Sequence, residues 1–447
     1  MGTITSTDVD DVVNTVPTAP LSIEETGVDV NDLISLFTKT LLGGSVDTVT
    51  KLSDSMKLPQ RVTQKLYEIA TERSLVESLG QGQLGVQQQR FVLTNRGREW
   101  AQQALETNAY IGPAPVPLND FVARVQRQAI SNERIAPDAL GKSLQGLVMP
   151  QSMPDQIGPA LNSGRPILLY GPPGNGKTSL AYRVGSVFRS IIYVPYAFEA
   201  GGQIIKVFDP DVHKEVALPA DRNSSRVSIR ASALDARWVP CHRPFIVTGG
   251  ELTLEMLDLQ YNPAMKLYEA PLHVKALNGI FVIDDFGRQL VQPETLLNRW
   301  IVPLENKVDY LKLHTGKSFQ IPFDEVVVFS TNLPPSRLMD PAFLRRLPFK
   351  IEVGPPTPDA FRQIFHATAR EKGIETSDEM VDFILAELTE RNDFQLGGYQ
   401  PRFLVDQLVS VSRYRGTLPR FDMNILRIAI GNLFTRDHEG YRTVGSD

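Results

Sequence analysis

Eight consecutive residues, Gly171-Pro172-Pro173-Gly174-Asn175-Gly176-Lys177-Thr178, fit the pattern G-x-x-x-x-G-K-[ST] without a mismatch. The chemistry such a run performs is phosphate binding. Its glycines let the loop turn so that successive backbone N–H groups cradle phosphate oxygens, and the helix behind it adds its positive dipole end. Lys177 would reach the β and γ phosphates, Thr178 would place its hydroxyl on Mg²⁺, and Ser179 would close the binding set. A second run, Gly279-Ile280-Phe281-Val282-Ile283-Asp284-Asp285, reads as a buried strand ending in two carboxylates. At the carboxyl end of a parallel strand, Asp284 would hold Mg²⁺ through water and Asp285 would orient an attacking water.

These groups need a scaffold, and the surrounding text supplies one. Ile167-Leu168-Leu169-Tyr170 reads as a short buried strand before the loop, and residues 178–184 begin a helix after it. From about 133 to 352 apolar strands alternate with helical patterns, the signature of an α/β layer architecture. From Thr357 onward the pattern is helical, with a capping box at Thr376-Ser377-Asp378-Glu379 and Pro401 where a first helical turn accepts it. Between Lys177 and Asp284, 204–208 and 214–216 around Asp209-Pro210-Asp211 read as a hairpin.

The N-terminal third has a different texture. Residues 1–29 carry six acidic residues and no Lys or Arg, and read as a disordered acidic tail. In 30–110, three helical patterns precede two short strand-like segments around the Gly/Gln-rich 80–89, and a last helix passes through Trp100. This order resembles a winged helix, with Leu93-Thr94-Asn95-Arg96-Gly97-Arg98 as the exit from strand to helix. The resemblance implies either DNA contact through the third helix, which carries Arg61, Lys65 and Arg73, or protein docking. Residues 111–132 read as a Pro-rich linker and helix.

Over 133–447 the chain resembles the AAA+ ATPases, on the strength of the phosphate loop, Asp284-Asp285 and three further segments. Val326-Val327-Val328-Phe329-Ser330-Thr331-Asn332 looks like the family's sensor-one strand, which makes Asn332 the group that positions water or γ phosphate. Asp340-Pro341-Ala342-Phe343-Leu344-Arg345-Arg346 is similar to the segment ending in an arginine finger, so the resemblance gives Arg345 or Arg346 to the neighbouring subunit's ATP. Gly397-Gly398-Tyr399-Gln400-Pro401-Arg402 looks like the sensor-two start, with Arg402 reaching the γ phosphate from the lid. Tyr196-Ala197-Phe198 falls where the family carries its substrate-gripping pore loop, and equally reads as core. The second acidic residue is Asp285 where the family usually has Glu, which implies slow turnover. The gap from Lys177 to Asp284 is 107 positions, longer than the family's core needs, so the resemblance implies an insertion, at about 197–245.

The fold class expected is therefore α/β: a P-loop AAA+ three-layer α/β/α core (133–352), a C-terminal helical lid (353–447), and a small α+β winged-helix-like domain in front. The function implied is an ATP- and Mg²⁺-dependent ATPase that remodels a protein client as a ring homo-oligomer, a hexamer by resemblance. The alternatives are a DNA-associated regulator or a non-hydrolysing scaffold. Composition agrees with an ordinary globular protein: net charge is −5, and the body beyond residue 29 is near neutral, which argues against a nucleic-acid-coating role. A single cysteine, Cys241, excludes an intramolecular disulfide and a Cys-rich metal site. No apolar run approaches the length of a membrane span and the N-terminus lacks a signal core, so a cytoplasmic location is expected.

Overall fold

The computed structural model describes residues 16–44, 46–79, 90–217, 234–389, 395–437 and 440–443. Helices Val30–Leu42, Val49–Met56 and Gln60–Glu72 open the chain, each with an apolar stripe turned inward. Asp29 and Thr48 cap the first two by accepting the N–H of Asn31 and Lys51. Strand β1 (Val76–Ser78) pairs antiparallel with β2 (Phe91–Leu93), and helix Asn95–Thr107 closes this layer. Residues 80–89, read as a wing, lie outside the described residues.

Two expectations for this region change. Residues 1–15 of the expected tail are outside the described residues, but 16–29 are packed. Thr18 forms a bridge with Leu234, and Ile23 and Val28 enter the same apolar core as Leu33 and Phe37. Apolar side chains at 23 and 28 have a core within reach, so the acidic composition around them does not decide their state. The Pro-rich segment is likewise no free spacer. Strand β3 (Val116–Pro117) pairs with a later strand, and helix Leu118–Arg127 follows directly.

The main sheet begins with β4 (Ile167–Tyr170). Strands β5 (Ile191–Pro195), β6 (Ala197–Ala200), β7 (Gln203–Lys206) and β8 (Trp238–His242) then build elsewhere before β9 (Phe245–Thr248) returns to it. After β10 (Gln260–Asn262) and β11 (Leu267–Glu269) come β12 (Ile280–Ile283), β13 (Val308–Lys312), β14 (Ser318–Pro322), β15 (Val326–Thr331) and β16 (Phe349–Glu352). The main sheet runs β16-β4-β15-β12-β9, every pair parallel. Alternate strand residues face opposite layers. Ile167, Leu169, Val282 and Val328 pack towards helices Met153–Ser163 and Lys177–Gly185, whereas Leu168, Phe281, Ile283 and Phe329 pack around Trp300 of helix Pro293–Asn306. This is the expected three-layer α/β/α core. Helices Pro358–Glu371, Asp378–Thr389, Gln400–Tyr414 and Met423–Gly431 form the expected C-terminal lid around Phe361, Phe365 and Leu404. A last hairpin pairs β17 (Phe434–Asp437) with β18 (Gly440–Thr443).

The insertion is larger than expected. Strand β5 pairs antiparallel with β8 instead of joining the main sheet, and β9 takes the place beside β12. The apolar run 191–194 specifies a buried strand but not which of two sheets receives it. A second sheet, β10-β11-β7-β6-β3, is built from inserted residues and the former linker. The hairpin expected at 204–216 is instead β6–β7, turning at Gly201-Gly202, while Glu215 bridges to Cys241. Phe198 is fully buried and stacks on Phe121 at 4.6 Å, so Tyr196-Ala197-Phe198 is core and not an exposed gripping loop. Among the described residues no helix is long and apolar enough to cross a membrane.

Candidate functional site

The parallel registers bring every strand's carboxyl end to one edge. Tyr170 pairs with Thr331, and Ile283 with both Phe329 and Thr248. The residues that follow Tyr170, Thr331, Ile283 and Thr248 are Gly171, Asn332, Asp284 and Gly249 respectively. Because β15 lies between β4 and β12, Asn332 is placed between the phosphate loop and the carboxylates by strand order alone.

The loop itself requires glycine. Gly171, Gly174 and Gly176 have φ of 136°, 74° and 88°. A Cβ on Gly171 would lie 2.5 Å from the Val353 carbonyl oxygen, and one on Gly174 would lie 2.4 Å from the Tyr399 ring. Helix Lys177–Gly185 starts directly behind, so its first N–H groups face the space above the loop. Lys177 is buried and donates from Nζ to the carbonyls of Gly171 and Pro172, both at 2.9 Å. Burial lowers its pKa, while Asp284 and Asp285 pull it back up. Its ammonium is therefore parked on loop carbonyls that a stronger anionic partner can displace.

Across the edge, Thr178 Oγ1 donates to Asp284 Oδ2 at 2.7 Å. Asn332 Nδ2 donates to Asp285 Oδ1 at 3.0 Å. Asp285 sits at φ 49°, in the left-handed region that non-glycine residues seldom adopt. Its turn is pinned on both sides, by Asp284 N–H to Thr248 O at 2.7 Å and by Phe286 N–H to Ser330 O at 2.7 Å. A hydroxyl and a carboxylate in contact at the mouth of a phosphate loop are the hard oxygen donors that suit Mg²⁺. Four of the residues singled out from sequence, Thr178, Asp284, Asp285 and Asn332, thus meet in two directly bonded pairs.

The lid touches the loop just before helix Gln400–Tyr414. Gly398 N–H donates to Asn175 Oδ1 at 2.9 Å, and helix Gln400–Tyr414 starts from this contact with Arg402 exposed in its first turn. Arg345 and Arg346 lie beyond helix Pro341–Leu344. Arg346 is bound to Glu305 at 2.6 Å. Arg345 is exposed and, among the described residues, belongs to no ion pair.

A cleft of about 370 Å³ that sequence reasoning missed opens beside the loop. Met149, Met153, Leu180, Val353, Pro355 and Ile364 give it apolar walls, and Asn175 and Gln363 add amides. One wall comes from the segment before helix Met153–Ser163, the other from the strand-to-lid connection and the first lid helix. The signals were present in Leu147-Val148-Met149-Pro150 and Gly354-Pro355-Pro356, apolar but aperiodic runs that carry no pattern of their own.

A sequence family described as "Domain of unknown function (DUF8689)" matches residues 357–432, which cover the lid helices. No curated protein matches the sequence. Among solved structures, NtrX from Brucella abortus in complex with ADP is similar at 15% identity, over 79% of this chain and 69% of that one, with a TM-score of 0.40. A RuvB mutant from Thermotoga maritima is similar at 15% identity, over 68% and 72%, with a TM-score of 0.34. The reading of the site rests on its own geometry.

Proposed function

We propose that this chain binds ATP and hydrolyses it, as an ATPase of the AAA+ type. The observation that carries the reading is the convergence at one sheet edge of the phosphate loop, the Thr178–Asp284 contact and the Asn332–Asp285 contact. Backbone N–H groups from Gly174 to Thr178 would hold the phosphates, with Pro172, Pro173 and Ser179 flanking them. Lys177 would move from its loop carbonyls to the β and γ phosphates. The 370 Å³ cleft would take the base between core and lid. Thr178 and Asp284 would hold Mg²⁺, which when bound neutralises phosphate charge. Asp285 would accept a proton from the attacking water and Asn332 would fix the orientation of that carboxylate.

The cation on the far side of the γ phosphate comes from a second copy in this reading. Arg345 is the better candidate for it, because Arg346 already faces Glu305. Arg402 would report the γ phosphate to the lid. A ring homo-oligomer, six-membered by resemblance, then follows from a site shared between copies, and remodelling of a protein client is the work such a ring does. DNA contact has less support. Lys65 is bonded to Glu68 at 2.9 Å, and Arg73 to Asn31 at 2.8 Å, which leaves a helix face of mixed charge.

Calorimetry with ATP and magnesium, followed by a phosphate-release assay, tests the reading. The parent protein should bind and turn over ATP, and Lys177→Ala should lose binding by at least about 10²-fold, the scale of a lost charge-assisted contact. Absence of heat with well-folded parent protein would sink it.

A further inference from the structure

We propose that Gln289 is a positioning residue for hydrolysis: its amide locks the turn that carries Asp284 and Asp285 into the shape that aims their carboxylates. The inference rests on the ATPase reading above. Gln289 Nε2 donates to the carbonyl oxygens of Asp284 at 3.0 Å, Asp285 at 3.2 Å and Gly249 at 3.3 Å. On its other side, Gln289 Oε1 accepts the N–H of Gly287 at 2.8 Å. Every neighbour of the nitrogen is an acceptor and the neighbour of the oxygen is a donor, so only one orientation of the amide fits. Among natural side chains of this length, neither Glu nor Met reproduces that pattern, because Glu brings only acceptors and Met brings no N–H.

The bonds fall where the backbone most needs them. Asp285 is held at φ 49° and Gly287 at φ 100°, two left-handed residues within a three-residue stretch. The Arg288 N–H closes back on Asp285 O at 2.9 Å, so the Asp285 carbonyl receives two donors, one of them from Gln289. A non-glycine residue stays in this region only when its surroundings over-determine it. Gln289 supplies that constraint from beneath the turn. Its reach to Gly249 also ties the carboxylate turn to the residue just after the neighbouring strand β9. Without the amide, the carbonyls of 284 and 285 lose a shared donor, and the turn is free to relax towards an ordinary conformation. Asp285 would then leave its 3.0 Å partner Asn332. A displacement on that scale at a reacting group can cost on the order of 10²-fold in rate, whereas the phosphate loop, on another strand, is left intact.

The test uses Gln289→Ala and Gln289→Glu in the full chain, with phosphate release, calorimetry against ATP and magnesium, and hydrogen exchange of the 284–289 peptide. Both variants should lose roughly 10- to 100-fold in kcat while ATP affinity stays within about threefold. Exchange at 284–289 should rise while other peptides are unchanged. The Glu variant adds a readout that a purely structural role would not move. Its length matches the parent's, but its carboxylate brings no N–H to the three carbonyl oxygens. Gln289→Glu should therefore be as slow as Gln289→Ala while melting temperature and ATP affinity stay near the parent's. Turnover within threefold of parent for both variants would overturn the assignment, as would kcat, affinity and melting temperature falling in step. If the parent itself neither binds nor hydrolyses ATP, the ATPase reading fails and the proposal falls with it; an active parent with unaffected variants removes Gln289 alone.

Discussion

Asp285 carries its carboxylate on a side chain one methylene shorter than the glutamate that the resemblance leads one to expect. The backbone and Asn332 together account for how it is still aimed. A left-handed φ of 49° tilts the residue out of the strand line, and Asn332 holds one oxygen at 3.0 Å. On the proposed reading, Asp285→Asn should leave ATP affinity intact and lower turnover by about 10² or more, since it removes only the proton acceptor. Equal loss of binding would mean that the residue serves the phosphates instead. A different carboxylate has a different fate. Glu325 is buried just before β15 with neither oxygen hydrogen-bonded, and burial raises its pKa well above the usual value, against the attraction of Lys307. The folded protein then keeps a proton that the unfolded chain releases near pH 4.5, so stability should decline as pH rises above that point. Each pH unit in that window is worth up to about 1.4 kcal/mol. Glu325→Gln should flatten the slope, so that its urea midpoint gains on the parent's between pH 5 and 8. Parallel profiles would show that Glu325 is ionised in the fold.

At the scale of elements, the site is a consequence of strand order and of one close contact between loop and lid. The phosphate loop, the carboxylate strand and the lid were legible in the sequence because each has a local signature: a glycine pattern, an unbroken apolar run ending in Asp284-Asp285, and a helical period preceded by a capping hydroxyl. That hydroxyl is the one on Ser377, while Thr376 bonds His366. Strand β5 was legible as a strand but not as a member of the second sheet, since its apolar residues satisfy either. The cleft was not legible at all. Its walls come from segments about 200 residues apart, 147–153 and 353–364, and the wall-forming runs 147–150 and 354–356 have no period. Gln289 was also silent, because three hydrogen bonds to a local turn and one to Gly249 leave no trace in composition. The loop–lid contact yields the clearest element-scale prediction. Gly174→Ala introduces a methyl at φ 74° and 2.4 Å from the Tyr399 ring, which should displace the lid and weaken ATP binding at least tenfold. Adding Tyr399→Ala removes the clash but not the backbone strain. Partial recovery of affinity in the double variant, measured by calorimetry, would identify lid displacement as the cause.

For the whole molecule, the N-terminal helical layer is not a tethered accessory but is clamped to the insertion. Arg237 and Asp235 form a buried pair with side chains 3% and 4% exposed. The guanidinium also donates to Thr26 O at 2.9 Å and Pro115 O at 3.2 Å, one acceptor in the N-terminal segment and one in the former linker. Removing one partner strands the other as an uncompensated buried charge, so Arg237→Leu should cost about 3–5 kcal/mol. Asp235→Asn combined with Arg237→Leu should cost clearly less, a non-additivity readable in denaturant midpoints. The same clamp bears on assembly. On the proposed reading of a ring, an N-terminal layer that moves as one body with the inserted sheet would be carried at fixed orientation, and the arginine proposed for a neighbour's site would come from a rigid frame. Mixing two inactive variants isolates that exchange. Arg345→Ala supplies an intact phosphate loop, and Lys177→Ala supplies an intact Arg345, the proposed finger. In a mixed assembly some sites regain both, so phosphate release should return to a fraction of the parent rate that depends on the mixing ratio. Each variant alone should stay low, whereas full activity of Arg345→Ala alone, or no recovery on mixing of assembled variants, would place the whole catalytic set within one chain.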